Sequence, residues 1–177
     1  MGNNMYAYCL NNPIIFGDPY GQDAIILLSS DGAGHLGIMV QDESGVWWHF
    51  YWGPKKGTIR RLFIYIGRWV KADPWCEQYS GNTTLEDINN SNQYSEYEDM
   101  YYFEGDFSQC VADMKDPGKV YNVFLNNCSQ VSFRILADAD TVYKDILSKA
   151  ARRVSPKKSF LFVKKKLSEI DADNSAN

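Results

Sequence analysis

Two apolar segments on either side of a short polar turn constrain the fold of this chain more than any other feature. The segments HLGIMV (35–40) and VWWHFYW (46–52) flank the turn QDESG (41–45). Both segments are rich in the branched and aromatic residues that favour strands, and the turn contains a glycine. The pattern predicts an antiparallel β-hairpin, to which the rest of the fold must be fitted.

The hairpin contains both histidines of the chain, His35 and His49. Alternate residues of a strand share a face, so Leu36, Ile38 and Val40 form an apolar face and His35 belongs to the other one. In the second strand, His49 also lies opposite the more apolar set. An even register, in which paired residue numbers have an even sum, places the two histidines on the same side of the sheet. We expect that register, because a slip by one residue would separate them.

Further strands are indicated by apolar runs elsewhere. AIILLSS (24–30) is typical of a buried strand, and TIRRLFIYIGRWV (58–70) of another strand. The run VYNVFL (120–125) fits a strand or an apolar lead-in to the next element. The stretch 80–98 is polar and rich in asparagine, which predicts a long loop or a mobile insertion.

Three helices are predicted by apolar residues at helical spacing. A short one falls in GDFSQCVADMK (105–115), and a second falls in NNCSQVSFRILADA (126–139) with Cys128 on its apolar face. A third, basic helix is expected over 157–170. Its apolar stripe is typical of core packing, and the alternative is a helix lying on a membrane surface.

Charge distribution narrows the function classes. The net charge is −4, which gives no general attraction to phosphate backbones, so we do not expect a nucleic-acid partner. Residues 73–116 contain eleven acidic side chains and one lysine, whereas residues 149–166 contain eight basic side chains and no acid. These two regions could pair. No apolar run is long enough for a membrane span, and no signal peptide is recognisable at the start.

The four cysteines, Cys9, Cys76, Cys110 and Cys128, have no CxxC spacing and are expected to be free thiols. The sequence also lacks the motifs of zinc deaminases, Walker-type phosphate-binding loops and GxSxG hydrolases. We therefore expect neither a metal nor a cofactor. A metal site made of carboxylates alone is the alternative that stays open.

Cys128 is the best candidate for a reactive residue. It follows Asn126 and Asn127, either of which could cap the helix that begins there. A thiol at a helix N-terminus is expected to lose its proton more easily, and a nearby imidazole could act as general base and acid. His35, with His49 as a further polar group, would complete an acyl-transfer site with Cys128.

Packing is the competing interpretation for each of these residues. A cysteine on an apolar helix face is commonly a core residue, and a histidine in a strand is commonly satisfied by a neighbour. The cluster of Trp47, Trp48 and Trp52 could line a substrate groove or pack the core and the hairpin.

The start of the chain carries a specific resemblance. NMYAYCLNNPIIFGDPYG (4–21) is similar to the end of the core region of Rhs/YD-repeat polymorphic toxins, where a D-P-x-G motif precedes the toxin domain. The resemblance implies that residues 1–22 are the irregular tail of an Rhs core and that residues 23–177 form the toxin domain. Asp18 matches the aspartate involved in self-cleavage in relatives, but Gln22 replaces the expected apolar residue, which puts self-cleavage in doubt.

A second resemblance covers more of the chain. GHLGIMV (34–40), the following aromatic strand and YNVFLNNCSQVSFRIL (121–136) resemble permuted papain-like cysteine hydrolases of the NlpC-like and lecithin retinol acyltransferase-like kinds. The resemblance implies an α+β fold in which an antiparallel sheet packs against a helix carrying the nucleophilic Cys128. His35 matches the general base of the family, and His49 falls near its third polar position.

Together the resemblances imply an effector delivered into a target cell as part of a larger Rhs protein. It would act as a cysteine hydrolase or acyltransferase on a peptide, peptidoglycan or acyl lipid, and an immunity protein would protect the producer. Two alternatives stay open: a toxin of the protein deamidase or transglutaminase type that uses the same cysteine and histidine, and a non-catalytic binding domain on the same fold.

Overall fold

The computed structural model describes residues 23–29, 34–54, 69–91, 96–139 and 142–175. The Rhs-like segment, with Cys9, Asp18 and Gln22, and most of the strand expected over 58–70 lie outside these ranges. The described part is an α+β protein with six strands and five helices. The strands are β1 (Ala24–Ser29), β2 (His35–Gln41), β3 (Trp47–Pro54), β4 (Val70–Tyr79), β5 (Asp99–Phe103) and β6 (Val120–Tyr121). The helices are α1 (Leu85–Ser91), α2 (Cys110–Lys115), α3 (Cys128–Ala139), α4 (Lys144–Ala151) and α5 (Pro156–Ser175).

All six strands form one antiparallel sheet in the order β5-β1-β2-β3-β4-β6. The predicted hairpin is confirmed as β2 and β3, and it occupies the middle of the sheet. Met39 pairs with His49 and Ile38 with Phe50, so the even register is also confirmed. His35 and His49 therefore lie on the same side of the sheet.

Each face of the sheet is covered by a different apolar cluster. On one face, Leu36, Ile38 and Val40 belong to the main core, which includes Phe133 of α3 and Phe160 of α5. The opposite face carries a smaller cluster in which Ile25, Leu27 and Met39 of the sheet pack with Ile88 of α1 and Tyr97. The histidines of the hairpin belong to this second face.

The expected loop over 80–98 is wrong for its central part, which forms α1. The Thr84 hydroxyl accepts a hydrogen bond from the backbone N–H of Asp87 at 3.2 Å and donates one to the Asp87 carboxylate at 2.9 Å. This pair caps the start of the helix. Leu85 and Ile88 then pack on the second face of the sheet. The polar composition of the stretch gave no indication that these two side chains would be buried.

The predicted helices α2, α3 and α5 are confirmed, and α4 had no counterpart in the sequence-based assignment. The run 120–125 forms the two-residue strand β6 followed by a turn. The acidic and basic regions do meet, because Lys164 of α5 forms an ion pair of 2.8 Å with Asp99 of β5. Cys76, Cys110 and Cys128 are free thiols, as expected.

Among the helices of the described ranges, none combines the length and the apolar character that crossing a bilayer requires.

Candidate functional site

Cys128 is the first residue of α3, and a reciprocal capping box fixes its position. The side-chain carbonyl of Asn127 accepts the backbone N–H of Gln130 at 3.1 Å. In return, the side-chain carbonyl of Gln130 accepts the backbone N–H of Asn127 at 3.0 Å. Two of the unpaired donors at the helix start are thereby satisfied. Of the two candidates for the helix cap, Asn126 and Asn127, the structure thus identifies Asn127.

The same two side chains attach the helix start to neighbouring segments. The amide nitrogen of Asn127 donates to the carbonyl oxygens of Val123 and Val154, each at 2.8 Å. The amide nitrogen of Gln130 donates to the carbonyl oxygen of Phe124 at 3.0 Å. The residue before Cys128 is therefore held from both sides, which leaves the thiol little freedom to shift.

The thiol of Cys128 is buried, with 2% of the residue exposed. Burial raises its pKa to about 11, although the backbone N–H groups of Leu36, Ser129 and Cys128 itself act in the opposite direction. The expectation that the helix N-terminus would lower this pKa is therefore wrong for the free protein. Desolvation of the thiolate outweighs the favourable N–H groups, so the group is a neutral thiol near pH 7.

His35 opens β2, and its ring stacks on that of Tyr51 with 4.0 Å between centroids. Its Nε2 atom is buried and has no hydrogen-bond partner among the described residues. Burial, with a smaller contribution from His49, lowers the pKa of His35 to about 3. The imidazole is therefore neutral near pH 7, and a buried ring nitrogen without a partner is free to take part in proton transfer.

His49 lies in β3 on the same face, 2% exposed. Its Nε2 atom is 3.0 Å from the hydroxyl of Tyr97, and Trp75 meets its ring edge-on at a centroid distance of 5.0 Å. Burial lowers the pKa of His49 to about 4. The hydrogen-bond partner of His49 is thus a tyrosine, and His49 influences His35 electrostatically.

Tyr97 was not identified from the sequence, because it lies in the polar stretch that was expected to be a loop. Its phenol covers Gly37, where an added Cβ would collide with the Tyr97 hydroxyl and lie 3.1 Å from Cζ. The side chain of Asn89 holds Tyr97 by accepting its backbone N–H and donating to its carbonyl oxygen, both at 2.8 Å. The missing side chain at Gly37 was the one available signal that something packs there.

Cys128 and the histidines approach β2 from different sides. Cys128 belongs to the main core with Leu36, whereas His35 and His49 lie on the second face. The connection between them is at the start of β2, where the N–H of Leu36, the residue after His35, acts on the thiol. Tyr121 is a further link, because its pKa is raised by burial and then by Cys128 and Tyr51, the residue that stacks on His35.

The three tryptophans of the hairpin do not form one groove. Trp52 is fully buried in the main core and donates to the carbonyl oxygen of Asn126 at 3.3 Å. Trp48 is half-buried on the same face, with the Lys115 ammonium 3.7 Å from its ring centroid. Trp47 packs against the smaller cluster on the other face. The structure thus places Trp52 as a packing residue and separates Trp47 from the other two.

A cavity of about 470 Å³ adjoins His49 on the second face of the sheet. His49, Trp75 and Glu77 line it from the strands, and Asn82, Asp87 and Asn90 line it from α1 and the preceding turn. Neither Cys128 nor His35 contributes to this lining. The described residues contain no group of three or more metal-ligating side chains that could hold a metal ion.

Comparisons of the chain with family models, curated proteins and solved structures gave no match. The function is therefore inferred from the sequence pattern and the geometry of the site.

Proposed function

We propose that the domain is the toxin of an Rhs-type carrier, with a permuted papain-like fold, and that Cys128 is the nucleophile of a hydrolase or acyltransferase. The observation that carries this proposal is the position of the Cys128 thiol. The thiol opens a capped helix, and the backbone N–H groups of Ser129 and Cys128 lower its pKa. The N–H group of Leu36, the residue after His35 in β2, acts in the same direction. N–H groups directed at the sulfur favour the thiolate, which is the form of a cysteine that attacks a carbonyl carbon.

The raised pKa of Cys128 and the lowered pKa of His35 argue against a preformed thiolate–imidazolium pair in the free protein, so the proposed mechanism uses His35 as a general base during the attack. In the proposed step, a local rearrangement brings the His35 ring to the Cys128 side of β2, and the thiol proton passes to this imidazole as the sulfur attacks the carbonyl carbon. The imidazolium then gives this proton to the leaving amine or alcohol, and a thioester remains on Cys128. Water, or an acceptor alcohol or amine, attacks the thioester and returns a proton through His35, which restores the thiol.

His49 and Tyr97 act as positioning residues in this scheme. The hydrogen bond of 3.0 Å between them fixes the His49 ring on the face that carries His35. With both histidines neutral near pH 7, His49 does not compete for the proton that His35 must accept.

The substrate class is an amide or ester: a peptide, a peptidoglycan stem peptide or an acyl lipid. Delivery by the Rhs carrier accounts for export, and an immunity protein is the expected partner in the producing cell. A protein deamidase or transglutaminase would use the same thiol and imidazole on a glutamine side chain, and the shape of the substrate pocket would distinguish it.

A non-catalytic binding domain on this fold is the second candidate, and one observation favours it. Cys128 is 2% exposed, so no substrate carbonyl reaches the sulfur without a local rearrangement. In that case Cys128 and His35 would be packing residues, and their replacement would change stability alone.

The test is growth of a susceptible bacterium that expresses the full chain, directed in turn to the cytoplasm and to the periplasm. Cys128→Ala and His35→Gln are compared with Cys110→Ala, with folding of each variant checked by circular dichroism. Cys110 is a matched control because it is also buried, opens a helix, and donates through sulfur to a carbonyl oxygen, that of Ile135.

The proposal predicts that the parent chain and Cys110→Ala inhibit growth, whereas folded Cys128→Ala and His35→Gln do not. The compartment in which the chain inhibits growth indicates whether the substrate lies in the cytosol or in the cell wall. Inhibition by folded Cys128→Ala would refute the nucleophile and leave the binding domain as the better explanation.

A further inference from the structure

Exposed apolar side chains concentrate around the loop that leads into Cys128. Eight large apolar residues are exposed in the described part, and half of them are Val120, Phe124, Leu125 and Val154. We call these four residues the tip patch. Leu125 is 66% exposed and Phe124 is 49% exposed, and they are adjacent at the end of a turn. Contiguous exposed apolar residues of this kind mark interaction surfaces.

Hydrogen bonds hold the two tip residues in their exposed positions. The side-chain carbonyl of Asn122 accepts the N–H groups of Phe124 and Leu125 at 2.9 and 3.0 Å. The backbones of Asn122 and Asn126 also pair with each other across the turn. The turn is thus closed by its own polar groups, and the apolar side chains are left to face outward.

The other two members of the tip patch are tied to the same turn. The amide of Asn126 donates to the carbonyl oxygen of Val120 at 2.6 Å, and that of Asn127 donates to the carbonyl oxygen of Val154 at 2.8 Å. Since Asn127 also caps α3, the tip patch and the thiol of Cys128 are parts of one rigid unit. A surface docked on the tip patch would therefore lie at the Cys128 end of α3.

The surroundings of the tip patch are basic. Lys119 precedes Val120, Lys71 pairs with Val120 in the sheet, and Arg152 and Arg153 precede Val154. No ion pair among the described residues involves these four cations. The sequence has no acidic residue over 117–137 or 146–168, although the whole chain has a net charge of −4. Four cations therefore flank the exposed apolar side chains. The acidic residues nearest in sequence to the two lysines are Asp73 and Asp116, and the Arg153 guanidinium lies 4.2 Å from the centroid of the Phe162 ring.

We propose that the tip patch docks the domain on an anionic lipid surface, with Leu125 and Phe124 entering the interface and the flanking cations facing lipid phosphates. Apolar side chains surrounded by basic residues bind such surfaces through burial and charge together. This inference rests on the proposed function where it narrows the substrate to an acyl ester at a membrane, since that is the bond the docked thiol would meet.

Vesicle co-sedimentation tests the docking directly. The full chain and its Cys128→Ala variant are mixed with vesicles of phosphatidylcholine alone, or of phosphatidylcholine with phosphatidylglycerol. Phe124→Ser and Leu125→Ser alter the tip, and because both side chains are exposed, we expect both variants to fold. Val142→Ser is the matched control, because Val142 is 77% exposed but follows the other end of α3.

We expect binding to the anionic vesicles only, weakened by added salt. Each tip variant should lower the partition coefficient roughly tenfold, and Val142→Ser should change it by less than about twofold. Cys128→Ala should bind like the parent chain, because docking precedes chemistry.

Equal binding to both vesicle types, unaltered binding by the tip variants, or no binding at all would overturn the inference. Concentration-dependent dimers in sedimentation velocity that disappear in Leu125→Ser would also overturn it, in favour of a second copy as the occupant. Failure of the proposed function is separate: vesicle binding by a parent chain that does not inhibit growth refutes the enzyme and leaves the docking surface.

Discussion

The backbone N–H group of Leu36 acts on the thiol of Cys128, which places the start of α3 at the start of the strand that begins with His35. This relationship joins the two halves of the candidate site, because the thiol and the imidazole otherwise belong to different faces of the sheet. The hairpin register decides the position of the second histidine, because a slip by one residue would have placed His49 on the face opposite His35.

Alkylation of Cys128 should increase with pH well above neutrality. Burial raises the pKa of the thiol to about 11, and the thiolate is the species that reacts. The measurement is the rate of carbamidomethylation at Cys128 in the native protein, followed by mass spectrometry from about pH 6 to pH 10. A rate that is already at its plateau below pH 7 would instead indicate a thiolate paired with a charged His35.

The free energy of unfolding should decrease as the pH falls from about 7.5 to 5. The pKa values of His35 and His49 are lowered to about 3 and about 4, so the unfolded chain binds more protons than the native one throughout this interval. The stability contributed by the two neutral histidines is therefore fully present above their unfolded-state pKa and is lost as the pH falls below it. We expect a loss of about 1–2 kcal/mol for each histidine, measured by urea unfolding.

His49→Gln should remove about half of that pH dependence, since one of the two groups no longer titrates. An unchanged slope in His49→Gln would show that the pH dependence originates elsewhere in the chain.

Tyr97→Phe should destabilise the protein by about 1 kcal/mol, because the buried Nε2 atom of His49 loses its hydrogen-bond partner. Tyr101→Phe is the control: its hydroxyl bonds to Asp171 at an exposed position, so the cost should be smaller. Equal losses in the two variants, measured by urea unfolding, would argue against the His49–Tyr97 hydrogen bond.

Gly37→Ala should cost about 1–3 kcal/mol, since the new Cβ collides with the Tyr97 hydroxyl in a fully packed region. In a Tyr97→Phe background the same substitution should cost less, because the colliding oxygen is absent. Additive effects in this double-mutant cycle would mean that Gly37 and Tyr97 are not in contact.

Asn127→Ala should destabilise the protein by about 2–4 kcal/mol. It removes the cap of α3 and the two amide donations to Val123 and Val154 in one step. Asn127→Asp keeps an acceptor for the cap but loses the donors, so its cost should be intermediate. Equal stability of Asn127→Asp and the parent chain would show that the amide donations contribute nothing.

Strong local patterns in the sequence were sufficient to predict the hairpin, its register and the helix that begins at Cys128. Alternate residues of the hairpin separate the more apolar set in each strand from the set that contains the histidine, and the pair of asparagines before Cys128 marks a helix start. These elements can be predicted because the pattern lies within their own residues.

Other elements depend on contacts that no local window contains. In α1, Leu85 and Ile88 are apolar residues in a stretch that is otherwise polar, and their burial is decided by the sheet beneath them. β4 contains Pro74 and several charged residues, and it is a strand because it pairs with β3 along its length. The predicted direction of the Cys128 pKa shift was wrong for a similar reason. The helix start can be read from the sequence, but the burial that raises the pKa cannot.

The most direct test of the central claim is to ask which residue becomes acylated when the full chain is treated with p-nitrophenyl acetate. Peptide mass spectrometry locates the acetyl group while the release of p-nitrophenol is followed by absorbance. The proposed function predicts a thioester on Cys128 that forms in the parent chain and in Cys110→Ala and is lost in folded His35→Gln. Acetylation confined to other residues, or unchanged at Cys128 in His35→Gln, would contradict the assignment of Cys128 and His35 as nucleophile and base.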